Sequence, residues 1–98
     1  MEEKDLKSIN LETLSVTTIT DEEKEITIGK EVYQGFCNTV YNTTGDIAEK
    51  DLIKKFYYNP SQDLNEEELK IFKAIIEKFS NKYFTAVVQE ALLKQINN

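Results

Sequence analysis

The stretch Leu11-Glu12-Thr13-Leu14-Ser15-Val16-Thr17-Thr18-Ile19-Thr20-Asp21-Glu22-Glu23-Lys24-Glu25-Ile26-Thr27-Ile28 decides the fold class. Up to Thr20 its residues are short, β-branched and hydroxylated, which is the composition of a strand. Asp21-Glu22-Glu23-Lys24 reads as a charged turn of about four residues, and Glu25-Ile26-Thr27-Ile28 then resumes an apolar/polar alternation. The spacing predicts a β-hairpin over about 11–28. Leu14 and Val16 share one parity while Ile19 takes the other, so a bulge or a strand end is expected near Thr18. A two-stranded hairpin is marginal alone, so one face must pack on other elements.

Helices supply that support. From Gly29 to Thr44, Val32, Phe36 and Val40 recur every four residues, with Tyr33, Cys37 and Tyr41 on the adjacent stripe. Thr27 is the expected N-cap, and Gly35 inside the helix costs about 1 kcal/mol relative to Ala unless it permits a close approach by another backbone. Asn42-Thr43-Thr44-Gly45 should end the helix, with Gly45 as the C′ residue. Asp46-Ile47-Ala48-Glu49 matches a capping box and opens a second helix, about 46–58, whose expected buried side carries Ala48, Leu52, Ile53 and Phe56. Asn59-Pro60 stops it. Asn65-Glu66-Glu67-Glu68 starts a third, about 65–80, with Leu64 and Leu69 placed as a hydrophobic staple. After Ser80-Asn81, with Asn81 available as a cap, a fourth helix over about 82–96 carries Phe84, Val87, Val88, Ala91, Leu92 and Ile96 on one face.

The class is therefore α+β, mostly helical: an N-terminal hairpin packed on about four short helices. Residues 1–8, polar apart from Met1 and Leu6, read as a flexible leader, and 9–98 as one small globular domain. Leu, Ile, Val and Phe make up about 29% of the chain, above the level at which disorder becomes the expectation. No apolar run is long enough to span a bilayer, and Met1-Glu2-Glu3-Lys4-Asp5 lacks the features of a secretory signal, which points to the cytoplasm and to no membrane partner.

The missing residue types restrict function. The 98 residues include 18 acidic and 12 basic side chains, for a net charge of −6; every basic residue is Lys, and there is no Arg, His or Trp and one Cys. Cys37 has no partner for a disulfide within the chain. A Cys- and His-based zinc site has no ligand set, and no Ser-His-Asp or Cys-His nucleophile can be assembled. Without Arg there is no bidentate phosphate or guanine clamp, and the net negative charge disfavours nucleic acid. No catalytic, cofactor-binding or metal-binding residue is assigned, no cofactor is expected, and the chain reads as a non-enzyme.

The remaining motifs have structural readings. Asp21-Glu22-Glu23-Lys24-Glu25 has carboxylates for a divalent cation but not the EF-hand spacing, and reads as a solvated turn. Glu66-Glu67-Glu68 reads as helix-start electrostatics. Lys54-Lys55-Phe56-Tyr57-Tyr58 interleaves rings and positive charge as single-strand binders do, but two lysines are few against −6. Cys37, near a buried stripe, reads as a small hydrophobe. Tyr57 and Tyr58 on the second helix and Leu93 on the last are the candidate interaction surface, since exposed apolar and aromatic groups mark protein contacts when contiguous.

The chain resembles small proteins encoded in phages and prophages of bacteria. The resemblance rests on Glu25-Ile26-Thr27-Ile28-Gly29-Lys30-Glu31-Val32-Tyr33, on Leu64-Asn65-Glu66-Glu67-Glu68-Leu69 and on Ala86-Val87-Val88-Gln89-Glu90-Ala91-Leu92-Leu93. It implies an accessory or assembly protein without enzymatic activity, and brings no catalytic residues. The leading expectation is thus a non-enzymatic protein that binds itself or another protein. The alternatives are an acidic inhibitor mimicking nucleic acid, motivated by the net charge, and a small helical DNA-binding regulator, motivated by the successive short helices.

Overall fold

The computed structural model describes residues 6–97. The chain runs β1 (Lys7–Asn10), β2 (Thr13–Thr17), β3 (Glu23–Thr27), α1 (Lys30–Thr43), α2 (Ile47–Tyr58), β4 (Ser61–Leu64), α3 (Glu66–Phe79), a 3-10 turn (Ser80–Lys82) and α4 (Ala86–Asn97). The class is α+β, mostly helical, as the sequence predicts.

The expected hairpin is β2–β3, antiparallel, with Thr13 opposite Thr27 and Thr17 opposite Glu23. Its first strand ends at Thr17, which resolves the parity conflict: Leu14 and Val16 point into the core, while Ile19 stands fully exposed in the connection. Asp21 takes a left-handed φ of 66° there, a conformation Asp tolerates. The inner face of β2 rests on α4.

A second sheet was not legible. β1 pairs antiparallel with β4, with Lys7 opposite Leu64 and Asn10 opposite Ser61. Lys7 and Ser8, expected in the flexible leader, are therefore the first residues of a strand, and Ile9 is fully buried; residues 1–5 of that expected leader lie outside the described residues. Ser61-Gln62-Asp63-Leu64 has no β-branched residue and follows a proline, so it carries no strand signal of its own. It is a strand because Ile9 and Leu64 bury together and Ser8 donates a hydrogen bond to Asp63 at 2.6 Å. Asn10 then turns the chain, its side-chain oxygen accepting from the amides of Glu12 and Thr13. Its backbone exchanges two 2.8 Å hydrogen bonds with the Gln95 amide, and Lys7 donates to the Ile96 carbonyl. The last helix thus holds the first strand.

Helix caps follow the sequence in part. At α3 the capping box is complete: Asn65 accepts from the Glu68 amide at 2.8 Å and its own amide donates to Glu68 at 3.0 Å. At α2 only half forms. Asp46 accepts from the amides of Ala48 and Glu49, but the Glu49 side chain turns inward instead of reaching back. Ala48, expected on the buried side, is exposed and Glu49 takes that place. At α1 the cap is Gly29, not Thr27, because Thr27 is engaged in β3 opposite Thr13. Its C-terminal cap is Thr44 in extended geometry, and Gly45 is not left-handed. The buried face of α1 is Tyr33, Phe36, Cys37 and Val40, so Val32 falls at the edge, 42% exposed.

The last helix begins at Ala86, later than the expected 82. Ser80 is buried and donates to the Ile76 carbonyl, prolonging α3 into the 3-10 turn. Phe84, outside the helix, places its ring 4.8 Å from Phe36, and Tyr83 lies 5.7 Å from the same ring. Asn81 caps nothing on α4, whose first turn instead has Gln89 donating to the Thr85 carbonyl. On the other side of the core, Phe56 of α2 stacks on Phe72 of α3 at 5.0 Å.

Gly35 is explained by this aromatic turn. A Cβ at Gly35 would overlap the Tyr83 hydroxyl, so the close neighbour is a side chain and not a backbone. Gly35→Ala gains about 1 kcal/mol of helix propensity but must displace Tyr83 from Phe36. In the Tyr83→Ala background the same substitution is expected to stabilise by about 1 kcal/mol, and in the wild type to give no such gain. Urea unfolding of the four proteins checks this; equal effects in both backgrounds would show that Tyr83 is not the obstacle.

Candidate functional site

The expected interaction residues divide. Leu93, on α4, is half-buried against the core. Tyr57 and Tyr58 lie at the end of α2, where they line a groove between α1 and α2 of about 390 Å³. α1 contributes Cys37, Asn38 and Tyr41, and α2 contributes Ile53 and Lys54 besides the two tyrosines. Each set falls on one broad helical face, since positions three and four apart share a side. The sequence therefore located two wall residues, and the missing members came from a helix 16 residues earlier in the case of Tyr41 and Tyr57 (57 − 41).

The floor of the groove is apolar and buried. Ile53 is fully buried and Cys37 is 1% exposed. Desolvation pushes the Cys37 thiol up to about 12, so it stays protonated at neutral pH and acts as packing. The walls are open: Tyr58 is 75% exposed and Tyr41 38%. Tyr57 and Tyr58 meet edge to face at 5.2 Å, and Gln34 of α1 donates to the Tyr57 carbonyl at 3.1 Å, tying the end of α2 to α1. The Lys50 ammonium stands 5.3 Å from the Tyr41 ring centre and 3.3 Å from Asp51. Lys55 pairs with Glu68 at 3.3 Å, and Phe56 is fully buried, so the Lys54–Tyr58 run presents a single lysine to the groove.

A second depression, about 540 Å³, lies between the hairpin connection and α4, lined by Thr17, Thr18, Ile19, Asp21, Glu90 and Lys94 among others. Of the acidic run beside it, Glu23 and Lys24, expected in the turn, are the first residues of β3, and Glu23 has a structural partner. Glu23 accepts from the Lys94 ammonium at 2.7 Å and from the hydroxyls of Ser15 at 2.7 Å and Thr17 at 3.1 Å. The Lys94 bond first, then the two hydroxyls, hold its carboxyl at about 2, well below the usual carboxylate range. Among the described residues, no group of three His, Cys, Asp or Glu side chains is arranged to hold a metal ion.

Because folding lowers the Glu23 pKa, its stabilising contribution is present above pH 4.5 and is lost as the pH falls from there toward about 2. Glu23→Gln is expected to flatten that part of a Tm-against-pH curve. The partners are exposed, so raising the salt should shrink the difference between the two proteins. Identical acid limbs would show that the hairpin is not tied to α4 through this pair.

Glu49 is the buried carboxylate of the molecule's described core. It is 3% exposed, yet accepts from the Lys78 ammonium at 2.6 Å and the Thr44 hydroxyl at 2.6 Å. The pair joins α2 to α3 beneath the end of α1. A carboxylate in a helix's first turn is ordinary in sequence, and nothing local marks this one as buried.

Compared with protein-family models, curated proteins and solved structures, the chain matches none. Among the described residues no helix is long and apolar enough to cross a membrane.

Proposed function

We propose that this chain is a non-enzymatic interaction protein, an accessory or assembly factor of the phage type working in the host cytoplasm. It acts by binding another protein in the tyrosine groove between α1 and α2. The observation that carries this reading is the pair of exposed rings, Tyr41 and Tyr58, standing over a buried apolar floor of Ile53 and Cys37. Tyr supplies large contact area with few rotatable bonds and a polar tip, which is why protein interfaces concentrate it. The lysines work against a nucleic-acid mimic, because Lys50, Lys55, Lys78 and Lys94 stand among the carboxylates and break up a continuous acidic face.

Tyr58→Ala is expected to weaken partner binding at least tenfold while leaving the melting curve nearly unchanged, since the ring is mostly in water. The measurement is quantitative pull-down from the native host, with Lys82→Ala as a surface control away from the groove. A strictly monomeric chain that recovers no partner, or a partner bound equally by wild type and Tyr58→Ala, would overturn the proposal.

A further inference from the structure

We propose that the occupant of the tyrosine groove is an acidic peptide segment, in which a carboxylate side chain stands beside an apolar or aromatic one. The inference rests on the reading of this groove as the partner site and names the partner's chemistry.

Charge and hydrogen-bond polarity carry it. The chain as a whole is at −6, but the groove lining holds no carboxylate. Its one charged lining residue is Lys54, which is exposed and, among the described residues, makes no ion pair. The neighbouring lysines of α2 differ: Lys50 is beside Asp51 and Lys55 beside Glu68. The three tyrosines add phenolic O–H groups, which can donate to an anion. The site therefore offers a cation and several donors around an apolar floor, inside a molecule whose net charge is −6. A carboxylate reaching Lys54 would stay at the wet rim, where pairing needs little desolvation, while its apolar neighbour covers Ile53 and Cys37.

The size of the groove suits a peptide segment. About 390 Å³ is near the lower end of ligand clefts and accommodates a few side chains. Aromatic rings with a lysine also stack nucleic-acid bases, but a single unpaired lysine releases few counterions, and the charge of −6 opposes a polyanion far more than a short acidic segment.

The test titrates the isotope-labelled full chain, followed by amide NMR, with three probes: a pool of eight-residue peptides mixing Asp and Glu with Phe and Leu, the matching pool with Lys for the acids, and oligothymidylate. The acidic pool is expected to shift the amides of Tyr41, Lys54, Tyr57 and Tyr58. Lys54→Glu should weaken that binding at least fivefold with the spectrum otherwise intact, and higher salt should weaken it further. No groove shifts with the acidic pool, equal or tighter binding of the lysine pool, an unaffected Lys54→Glu, or a preference for oligothymidylate would each overturn the inference. Should native partner capture depend on Tyr58 while the acidic pool leaves the groove unshifted, the acidic-peptide inference falls and the interaction reading stands. Capture that is independent of Tyr58 removes the interaction reading itself.

Discussion

Phe36→Ala is expected to lower the unfolding free energy by about 4 kcal/mol. Phe36 is fully buried on α1, and its ring meets Phe84 at 4.8 Å and Tyr83 at 5.7 Å. It is thus the contact through which α1 holds the irregular turn that delivers α4. Truncation removes the ring's burial and leaves a cavity that cannot collapse easily, because Gly35 and the Tyr83 ring already touch beside it. Domains of this size have about 5–15 kcal/mol in total, so the loss corresponds to a fall in Tm of about 20 °C. Phe36→Leu keeps most of the volume and should cost about 1.5 kcal/mol or less. Thermal and urea unfolding followed by circular dichroism measure both. A loss below about 1.5 kcal/mol for the alanine variant would mean that the turn holds α4 without this ring.

The second large effect comes from the pair joining α2 to α3. Its two members are unequal: the Glu49 side chain is 3% exposed and that of Lys78 53%. Lys78→Met removes the ammonium and leaves the carboxylate with only the Thr44 hydroxyl. Stranding the Glu49 charge in this way is expected to cost about 3 kcal/mol at neutral pH. Glu49→Gln should cost less, about 1–2 kcal/mol, because the amide still accepts from Thr44 and the released ammonium is already in water. Replacing both residues, Glu49→Leu with Lys78→Met, should recover most of the loss, as an apolar pair needs no desolvation of charge. The order Lys78→Met, then Glu49→Gln, then the double variant, from least to most stable, is the result to look for. A reversed order of the two single variants would mean that water reaches Glu49. The alkaline limb offers an independent check. Glu49 holds the Lys78 ammonium charged above its ordinary range. Folding therefore raises this pKa, and the stabilisation is complete below about pH 10.5 and lost as the pH rises through the raised value. Lys78→Met should lack that alkaline loss.

Hairpin, helices and their start signals were legible because each is written in local order. Leu14 and Val16 two apart define a strand face, and Asn65 with Glu68 three apart defines a helix start, whatever lies beyond them. The β1–β4 sheet was not legible, because Ser61-Gln62-Asp63-Leu64 becomes a strand only when Lys7–Asn10 arrives alongside it. Glu49 failed for a related reason. The capping-box pattern offered it a local role at Asp46, and a stronger bond from Lys78, 29 residues on, took its side chain inward. For the groove, Tyr57 and Tyr58 stood out by their exposed aromatic character, but Tyr41 was read as part of an apolar stripe. The buried face of α1, Tyr33, Phe36, Cys37 and Val40, is narrower than the two stripes, which leaves Tyr41 at its edge.

By itself, then, the sequence determined the hairpin, the four helices and which chemistries the residue set excludes, since propensity, periodicity and side-chain inventory need no knowledge of neighbours. Only the tertiary structure decided that β1 pairs with β4, which carboxylate is buried and where the tyrosines gather. Those outcomes depend on residues far apart in the chain, from Tyr41 and Tyr57 lining one groove to Lys7 bonded to the Ile96 carbonyl, and no local pattern encodes them.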